Sequence, residues 1–271
     1  MSKIWFITGA SRGFGRSWAK AALERGDKVA ATARDIATLK DLVEVHGDAL
    51  LPIQLDVTDR EADFAAVRQA HAHFGRLDVV VNNAGYGHFG FIEEITEAEA
   101  RAQFDTNLFG ALWVTQAAIP LMREQGSGHI VQISSIGGVA AFPTVGIYNS
   151  SKWALEGFTE ALAQEVAGFG IKVTLIEPGG YATDWSGASS VRSEGIPAYQ
   201  PMRDAMTERR ASFAGTQPGP DDTTAAVFAA IDAENPPRRL LLSGTAYDIA
   251  QQVYQDRIKT WQDWEDTSRS A

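Results

Sequence analysis

The chain has no cysteine among its 271 residues, which excludes disulfide bonds, thiolate metal sites and thiol nucleophiles. Any catalysis must therefore use oxygen and nitrogen groups, and we predict no metal site. Basic side chains are also few, with 24 Lys and Arg against 34 Asp and Glu and a net charge of −10. This balance argues against nucleic acid or a membrane as a partner, because phosphate backbones and anionic lipids repel an acidic protein.

Long apolar runs are missing as well. No run approaches the roughly 18 apolar residues of a membrane span, and the first three residues lead directly into an apolar run at 4–7. We therefore expect a cytoplasmic protein. The length and the hydrophobic content of 45% suit one large domain.

What the chain does have is a regular alternation of short apolar runs with longer segments of helical periodicity. Seven runs are predicted to be strands: 4–8, 28–33, 50–55, 77–82, 129–134, 172–177 and 239–243. Such alternation predicts an α/β fold with a seven-stranded parallel sheet and helices on both faces. Two intervening helices have capping-box spacing at their start, Thr58 with Glu61 and Thr96 with Glu99.

Two segments depart from this alternation. Residues 179–220, here called the lid segment, are rich in Gly, Ser and Pro but also carry aromatic side chains, which favours a substrate lid within a domain of residues 1–245. Residues 246–271 form a C-terminal tail that we predict to be partly helical. The tail could lie over the sheet edge and limit assembly to a homo-dimer or monomer, which we favour, or it could contribute to a tetramer contact.

The turn after the first predicted strand is rich in glycine. This glycine turn, residues 8–15, reads Thr-Gly-Ala-Ser-Arg-Gly-Phe-Gly and leads into a helical segment. Gly9, Gly13 and Gly15 would let the backbone approach a pyrophosphate, and the helix N-terminus would offer free N–H groups to its charge. Tight strand-helix turns need glycine in any case, but the position between the first strand and the first helix favours a Rossmann-like, doubly wound dinucleotide fold. Ser11, Arg12 and Phe14 share the turn and are predicted to contact the cofactor.

The end of the second predicted strand indicates which dinucleotide is bound. An acidic side chain there usually holds a bare ribose, whereas a 2′-phosphate calls for an arginine. The strand ends in Thr32-Ala33-Arg34, and Arg12 is available from the glycine turn. We therefore favour NADP(H), with NAD(H) as the alternative. For Arg34 the competing interpretation is a surface salt bridge with Asp35 or a similar neighbour.

A tyrosine and a lysine at helical spacing are the strongest catalytic candidates. Tyr148 and Lys152 stand four residues apart and would share one helix face, and Ser135 follows a strand-like run in the preceding sequence. Bringing a phenol pKa from about 10 to neutrality takes roughly 4 kcal/mol, part of which a neighbouring ammonium can supply. Such a phenol can donate and accept a proton at neutral pH. A lone Tyr-x-x-x-Lys is more often a surface pair, so the surrounding motifs decide.

Taken together, the motifs resemble those of the short-chain dehydrogenase/reductase family over about residues 4–245. They occur in the family's order: the glycine turn, Asp56-Val57, Asn82-Asn83-Ala84-Gly85, Asn107, Ser135, Tyr148 with Lys152, and Pro178-Gly179 with Thr183. Within that family the chain is most similar to the ketone and hydroxysteroid reductases. The C-terminal tail is too short for the substrate domain of the related epimerases and dehydratases.

The resemblance implies a role for each matching residue. Asp56 and Val57 would hold the adenine, Asn83, Ala84 and Gly85 the adenosine ribose, and Pro178, Gly179 and Thr183 the nicotinamide. Ser135 would orient the substrate oxygen, Tyr148 would transfer its proton, and Lys152 would hold the nicotinamide ribose. Asn107 would hold a water that links Lys152 to solvent, unless its amide only bonds backbone at a helix kink.

The implied reaction is the reduction of a carbonyl to an alcohol, or the reverse. Aromatic side chains near the motifs favour an apolar or aromatic ketone or aldehyde over a sugar or an acidic metabolite. The candidates for the pocket wall are Tyr86, His88, Phe89, Phe142, Pro143, Tyr181, Trp185 and Tyr199. A dinucleotide-sensing protein without turnover is the alternative from another class, but it would not need Ser135, Tyr148 and Lys152 together.

Overall fold

A computed structural model describes residues 2–211 and 215–271 of the chain. The strands in these residues are β1 (Ile4–Ile7), β2 (Lys28–Ala33), β3 (Leu50–Gln54), β4 (Val79–Asn82), β5 (His88–Phe89), β6 (Gly128–Ile133), β7 (Ile171–Pro178), β8 (Val191–Arg192) and β9 (Arg239–Leu242). The α-helices are α1 (Gly13–Glu24), α2 (Lys40–His46), α3 (Arg60–Phe74), α4 (Glu97–Phe104), α5 (Gly110–Gln125), α6 (Gly146–Glu165), α7 (Gln200–Ala211), α8 (Thr224–Asp232), α9 (Gly244–Asp263) and α10 (Glu265–Arg269).

Seven of the strands form one sheet in the order β3-β2-β1-β4-β6-β7-β9, and every neighbouring pair is parallel. The predicted Rossmann-like α/β fold is therefore confirmed. The strand order reverses between β1 and β4, because the chain builds outward from β1 on one side and then from β4 on the other. In such sheets the crevice at the carboxyl ends next to the reversal is where ligands bind.

Alternate residues of the strands enter two apolar cores, one on each face of the sheet. In β1, Phe6 joins one cluster with Val80 and Ile130, whereas Trp5 and Ile7 join the other. All of these side chains are buried. Burying a side chain of this size contributes about 1.5–3 kcal/mol, so the two cores hold the sheet and its helices in a fixed arrangement.

The helix starts agree with the capping prediction at one site and not at the other. At α4, Thr96 Oγ1 accepts from Glu99 N and Glu99 Oε2 accepts from Thr96 N, as predicted. The box at Thr58 is wrong, because α3 begins one residue later and Asp59 is its cap. Thr58 instead donates its backbone N–H and its hydroxyl to Asp56, which closes the preceding turn.

The lid segment has regular structure that was not predicted, and the tail is more helical than predicted. In the lid segment, β8 pairs with β5 in a separate parallel sheet, in the register His88 to Val191, and α7 follows. Residues 212–214 of the lid segment lie outside the described residues. The tail is helical from Gly244, two residues before its predicted start, through α9 and α10. In the described part of the chain, no helix has the length and apolar character needed to cross a membrane.

Candidate active site

One cleft of about 1050 Å³ lies at the carboxyl ends of the strands, where the strand order reverses. Most of the predicted site residues line it: Gly9, Ser11, Arg12, Gly13, Phe14, Arg34, Asp56, Val57, Asn83, Ala84, Gly85, Ser135, Tyr148, Lys152, Pro178, Gly179 and Thr183. Two predicted residues, Gly15 and Asn107, do not line it. The sheet thus brings together residues that are spread over most of the chain.

The glycine turn is shaped by its backbone and by one asparagine. Gly9 and Gly13 have φ of +67° and +57°, a region that side chains other than glycine adopt at a cost. Asn83 Nδ2 donates to the carbonyl oxygens of Thr8, at 2.9 Å, and Gly9, at 3.0 Å. A Cβ on Gly15 would lie 2.5 Å from that Nδ2. Gly15 therefore allows α1 to pack against the turn, and it does not touch the cleft.

The end of β2 presents an arginine to the cleft. Arg34 is exposed, and its guanidinium has no hydrogen bond or ion pair within the described residues. The competing salt bridge to Asp35 is not formed within the described residues, and Asp35 Oδ1 instead accepts from Ala37 N at 2.9 Å. The second arginine, Arg12, has its Nη1 3.7 Å from Asp184 Oδ2 of the lid segment, with both side chains about half exposed. The turn, the helix N-terminus and the free guanidinium fit a dinucleotide.

Helix α6 carries the tyrosine and the lysine on one buried face. Tyr148 and Lys152 are only 6% and 5% exposed. Lys152 Nζ donates to Ile133 O at 2.7 Å and lies 5.9 Å from the centroid of the Tyr148 ring. Ser135 stands just after β6, and its Oγ accepts from Gly137 N at 2.9 Å. A short turn therefore fixes the serine hydroxyl beside the phenol.

Burial sets the pKa values of this pair. It raises the pKa of the Tyr148 phenol to about 12, whereas the nearby polar groups of Ser135 and Trp185 act to lower it. Burial also lowers the pKa of Lys152 to about 8, while the charge of Glu156 acts to raise it. The phenol pKa thus moves in the opposite direction from the one expected from the sequence, because desolvation of the phenolate outweighs the favourable contacts.

Asn107 lies in a π-helical turn, Asp105–Phe109, between α4 and α5. Its Oδ1 accepts from Tyr86 N at 3.1 Å, and its Nδ2 donates to Tyr86 O at 3.1 Å and to Ser151 Oγ at 3.2 Å. The side chain thus bonds backbone at a helix irregularity, which was the alternative interpretation. A Cβ on Gly85 would lie 3.1 Å from Asn107 Oδ1 and 3.6 Å from Lys152 Nζ. Asn107 therefore positions this loop beside the lysine, and the water relay stays a prediction.

An aromatic wall faces the tyrosine. The predicted wall residues that line the cleft are Tyr86, Phe89, Phe142, Tyr181 and Trp185. The Trp185 ring lies 4.9 Å from the Tyr148 ring and 5.2 Å from the Phe89 ring, centroid to centroid. Trp185 Nε1 is buried, and within the described residues it has no hydrogen-bond partner. It nevertheless lies close enough to the Tyr148 hydroxyl to lower the pKa of the phenol. The wall is apolar except for such isolated polar atoms.

The other three wall candidates, His88, Pro143 and Tyr199, do not line the cleft. His88 is fully buried, with its Nε2 2.8 Å from Ser193 Oγ, so it ties β5 to the lid segment. Tyr199 stacks on Phe91 at 4.5 Å and donates its hydroxyl to Glu93. In residues 2–211 and 215–271 no group of three or more His, Asp or Glu side chains is arranged to hold a metal ion.

Sequence reasoning missed a group of charges behind the lysine. Glu156 of α6 and Glu177 of β7 are buried, and both bind the guanidinium of Arg239 from β9. The signal was present for one of them, because Glu156 follows Lys152 by four residues and so shares its helix face. The others come from distant strands, and only the fold brings them together.

Comparison with known proteins identifies the family. The model of the family described as short chain dehydrogenase matches residues 3–193. The chain belongs to the short-chain dehydrogenase/reductase family. It is 42% identical over 273 residues to "Oxidoreductase BOA17" of Botryotinia fuckeliana, with 100% of both chains covered. It is therefore an oxidoreductase of this family, whose members act on small-molecule substrates.

Solved structures of the family agree in fold. A short-chain dehydrogenase from Streptomyces avermitilis has 41% identity and a TM-score of 0.90, with 99% of each chain covered. A Burkholderia phymatum member in complex with NAD has 26% identity and a TM-score of 0.83, with 96% of this chain and 95% of that one covered. A Burkholderia cenocepacia member in complex with NADP has 25% identity and a TM-score of 0.78, with 97% of each chain covered. Because these neighbours bind NAD or NADP, they support a nicotinamide dinucleotide as the cofactor of this protein.

Proposed function

We propose that this protein is an NADP(H)-dependent carbonyl reductase that converts an apolar or aromatic ketone or aldehyde to an alcohol, or catalyses the reverse reaction. The observation that carries the proposal is the placement of Ser135, Tyr148 and Lys152 in the same cleft as the glycine turn. The buried phenol has a serine hydroxyl on one side and an ammonium on its own helix face. A binding protein without turnover would have no use for this arrangement.

The side chains divide the chemistry between them. When bound, the dinucleotide supplies or accepts the hydride at the carbon of the reacting group. Tyr148 gives its hydroxyl proton to the carbonyl oxygen, so that a C–H and an O–H bond form as the C=O bond is reduced. The hydroxyls of Ser135 and Tyr148 stabilise the negative charge that develops on that oxygen. Pro178, Gly179 and Thr183 would hold the nicotinamide end, which lets the reacting atoms meet in a fixed geometry.

Replacing Tyr148 with phenylalanine tests the assignment directly. The change keeps the ring and removes the proton, so we expect turnover to fall by about 10²–10⁴-fold, the range that a positioned general acid contributes. The assay is the loss of NADPH absorbance with a panel of aryl ketones and aldehydes. Tyr199→Phe is the matched control, because its hydroxyl contacts Glu93 outside the cleft. Near wild-type turnover in Tyr148→Phe would contradict the proposal, and NADPH binding without any consumption would favour the dinucleotide-sensing alternative.

The preference for NADP(H) is part of the proposal, and the free Arg34 guanidinium supports it. Within the described residues no carboxylate pairs with Arg34, and the neighbouring Asp35 caps its own turn, so Arg34 is available for a 2′-phosphate. In Arg34→Ala we expect the ratio of kcat/KM for NADPH to that for NADH to fall at least about tenfold, the loss of one charge-assisted contact. Arg68→Ala, an exposed arginine on α3, is the control. An unchanged ratio in Arg34→Ala would refute the preference.

The aromatic wall supports the substrate class. Phe89, Phe142 and Trp185 face the phenol with few charges among them, and such a surface gains free energy by burying apolar substrate atoms. We expect higher kcat/KM for bulky aryl ketones than for small charged carbonyl compounds. The reverse order in a substrate panel would overturn the class.

A cytoplasmic location and a dimeric or monomeric state complete the proposal. The support for limited assembly is the position of α9, which begins directly after β9 at the edge of the sheet. Ala246 and Ala250 of its first turns are buried against the domain. Light scattering of the full chain is expected to give a dimer or monomer mass, and a tetramer would contradict this part.

A further inference from the structure

The ammonium of Lys152 has a carboxylate one helical turn away. Glu156 follows Lys152 by four residues on α6, and both residues are 5% exposed. Side chains at this spacing lie one above the other on the same helix face. Glu156 Oε1 has no hydrogen-bond partner within the described residues. Its charge acts on Lys152 by raising the lysine pKa, in opposition to burial.

Three further charged side chains complete the group behind the lysine. Arg239 Nη1 contacts Glu156 and donates to Glu177 Oε1 at 2.7 Å, while its Nη2 donates to Glu160 Oε1 at 2.7 Å. Glu160 is about half exposed, whereas the side chains of Glu156 and Glu177 are 7% and 2% exposed. One guanidinium therefore serves two buried carboxylates, which leaves a surplus of buried negative charge when both carboxylates are ionised.

The charge balance of this buried group depends on the lysine. Burial and the charge of Glu177 raise the pKa of Glu156 to about 7. Above that pH, two ionised carboxylates against one guanidinium leave one negative charge, and the Lys152 ammonium cancels it. An uncompensated buried charge is unfavourable, so the group favours a protonated Lys152. The charged groups around Glu156 are Lys152 and Glu160 on its own helix, Glu177 on β7 and Arg239 on β9. The neutral Ser134 hydroxyl faces it from the end of β6.

We propose that Glu156 is a positioning residue that supplies the counter-charge for Lys152, and that Glu177 and Arg239 hold it in place. The effect on turnover rests on the proposed carbonyl reduction, because Lys152 acts there beside Tyr148. Glu156 itself does not line the cleft, so it acts through the lysine. Its loss should therefore change the pH dependence of the enzyme more than its rate at low pH.

The variant Glu156→Gln keeps the shape and removes the charge. We expect the Lys152 titration, and with it the alkaline limb of the kcat/KM profile for aryl-ketone reduction, to move about one pH unit lower, the effect of one nearby charge. At about pH 9 this means a loss near tenfold, with little loss near pH 6. Glu160→Gln is the matched control, since it removes another carboxylate of α6 that binds Arg239 but lies half exposed two turns from the lysine. An equal loss at every pH, or the same shift in Glu160→Gln, would show a merely structural role.

A second measurement does not depend on activity. Lys152 lines the cleft, so its modification by acetic anhydride can be followed against pH by mass spectrometry of the peptide. The midpoint is expected about one unit lower in Glu156→Gln than in the wild type, and unchanged in Glu160→Gln. Equal midpoints in wild type and Glu156→Gln overturn the proposal, even if the protein reduces ketones. Absence of ketone reduction with the expected midpoints would instead remove only the proposed function.

Folding of the variant is checked by circular dichroism. If Glu156→Gln does not fold, Glu177→Gln removes the same charge from the other carboxylate, and the lysine midpoint should again fall. Glu156→Asp keeps the charge and should restore the wild-type midpoint. A midpoint that is unchanged in Glu177→Gln would overturn the proposal.

Discussion

A buried carboxyl without partners, Asp63, predicts an unusual dependence of stability on pH. Asp63 lies on α3 with none of its surface exposed, and within the described residues neither of its carboxyl oxygens has a hydrogen-bond partner. Burial raises its pKa from 3.8 to about 8, with further contributions from the charges of Asp59 and Asp56. The carboxyl is therefore protonated in the folded protein at neutral pH and ionised in the unfolded chain.

The raised pKa of Asp63 makes the free energy of unfolding depend on pH. Because the pKa of Asp63 is higher in the folded protein than in the unfolded chain, proton binding stabilises the folded state. This contribution is fully present below the unfolded pKa of 3.8 and is lost as the pH rises through about 8. Between about pH 5.5 and 8 the shift gives an upper bound of about 3 kcal/mol. Relaxation of the site reduces such values, so we expect the wild type to lose about 1.5 kcal/mol over this range through Asp63.

The test compares how the free energy of unfolding changes with pH in the wild type and in Asp63→Asn. The free energy of unfolding is measured by urea denaturation, with circular dichroism as the signal, from about pH 5.5 to 8. Asp63→Asn cannot ionise, so its advantage over the wild type should grow by about 1.5 kcal/mol from the lower to the higher pH. Any fixed cost of the amide cancels in this difference. Glu61→Gln, an exposed change on the same helix, is the control. Parallel stability curves for wild type and Asp63→Asn would refute the reasoning.

Three further changes test the cleft. Trp185→Phe keeps a ring over Tyr148 but removes the buried N–H that lowers the phenol pKa. We expect kcat/KM to fall about tenfold, and an unchanged value would show that Trp185 acts only by packing. Asn83→Ala removes two bonds to the glycine turn, so calorimetry should show a stability loss of about 1–3 kcal/mol and NADPH binding should weaken. Asp184→Asn frees Arg12 from its ion pair and should lower the Kd for NADPH by about two- to fivefold without changing that for NADH, as measured by fluorescence titration.

The alternation of apolar runs was enough to predict the sheet, because a strand that is buried on both faces needs apolar side chains along its whole length. The strand ends were less accurate where the chain turns into the site. Thr8 was assigned to the first strand, but β1 ends at Ile7, and the Thr8 hydroxyl accepts from the backbone N–H groups of Asn83 and Ala84. Periodicity cannot show such hydrogen bonds between loops that are distant in the sequence.

The cleft shows the same limit at the level of side chains. Motif spacing identified most of its lining, but Gly15 and Asn107 pack behind the cleft surface and do not line it. The direction of the Tyr148 pKa was missed because burial depends on the folded surroundings and not on the sequence neighbours. The pairing of β5 with β8 joins residues about a hundred positions apart, and neither two-residue strand has a pattern of its own.

Helix α6 explains why the far end of the chain matters to the site. Tyr148, Lys152, Glu156 and Glu160 follow one another at four-residue steps, which places one chemical group about every 6 Å from the cleft outward. Arg239 of β9 binds the two outer members of this series. That strand lies beyond the residues matched by the family model, yet it completes the buried charge balance behind the lysine. A change at Arg239 should therefore reach Tyr148 and Lys152 through α6, even though the arginine does not line the cleft.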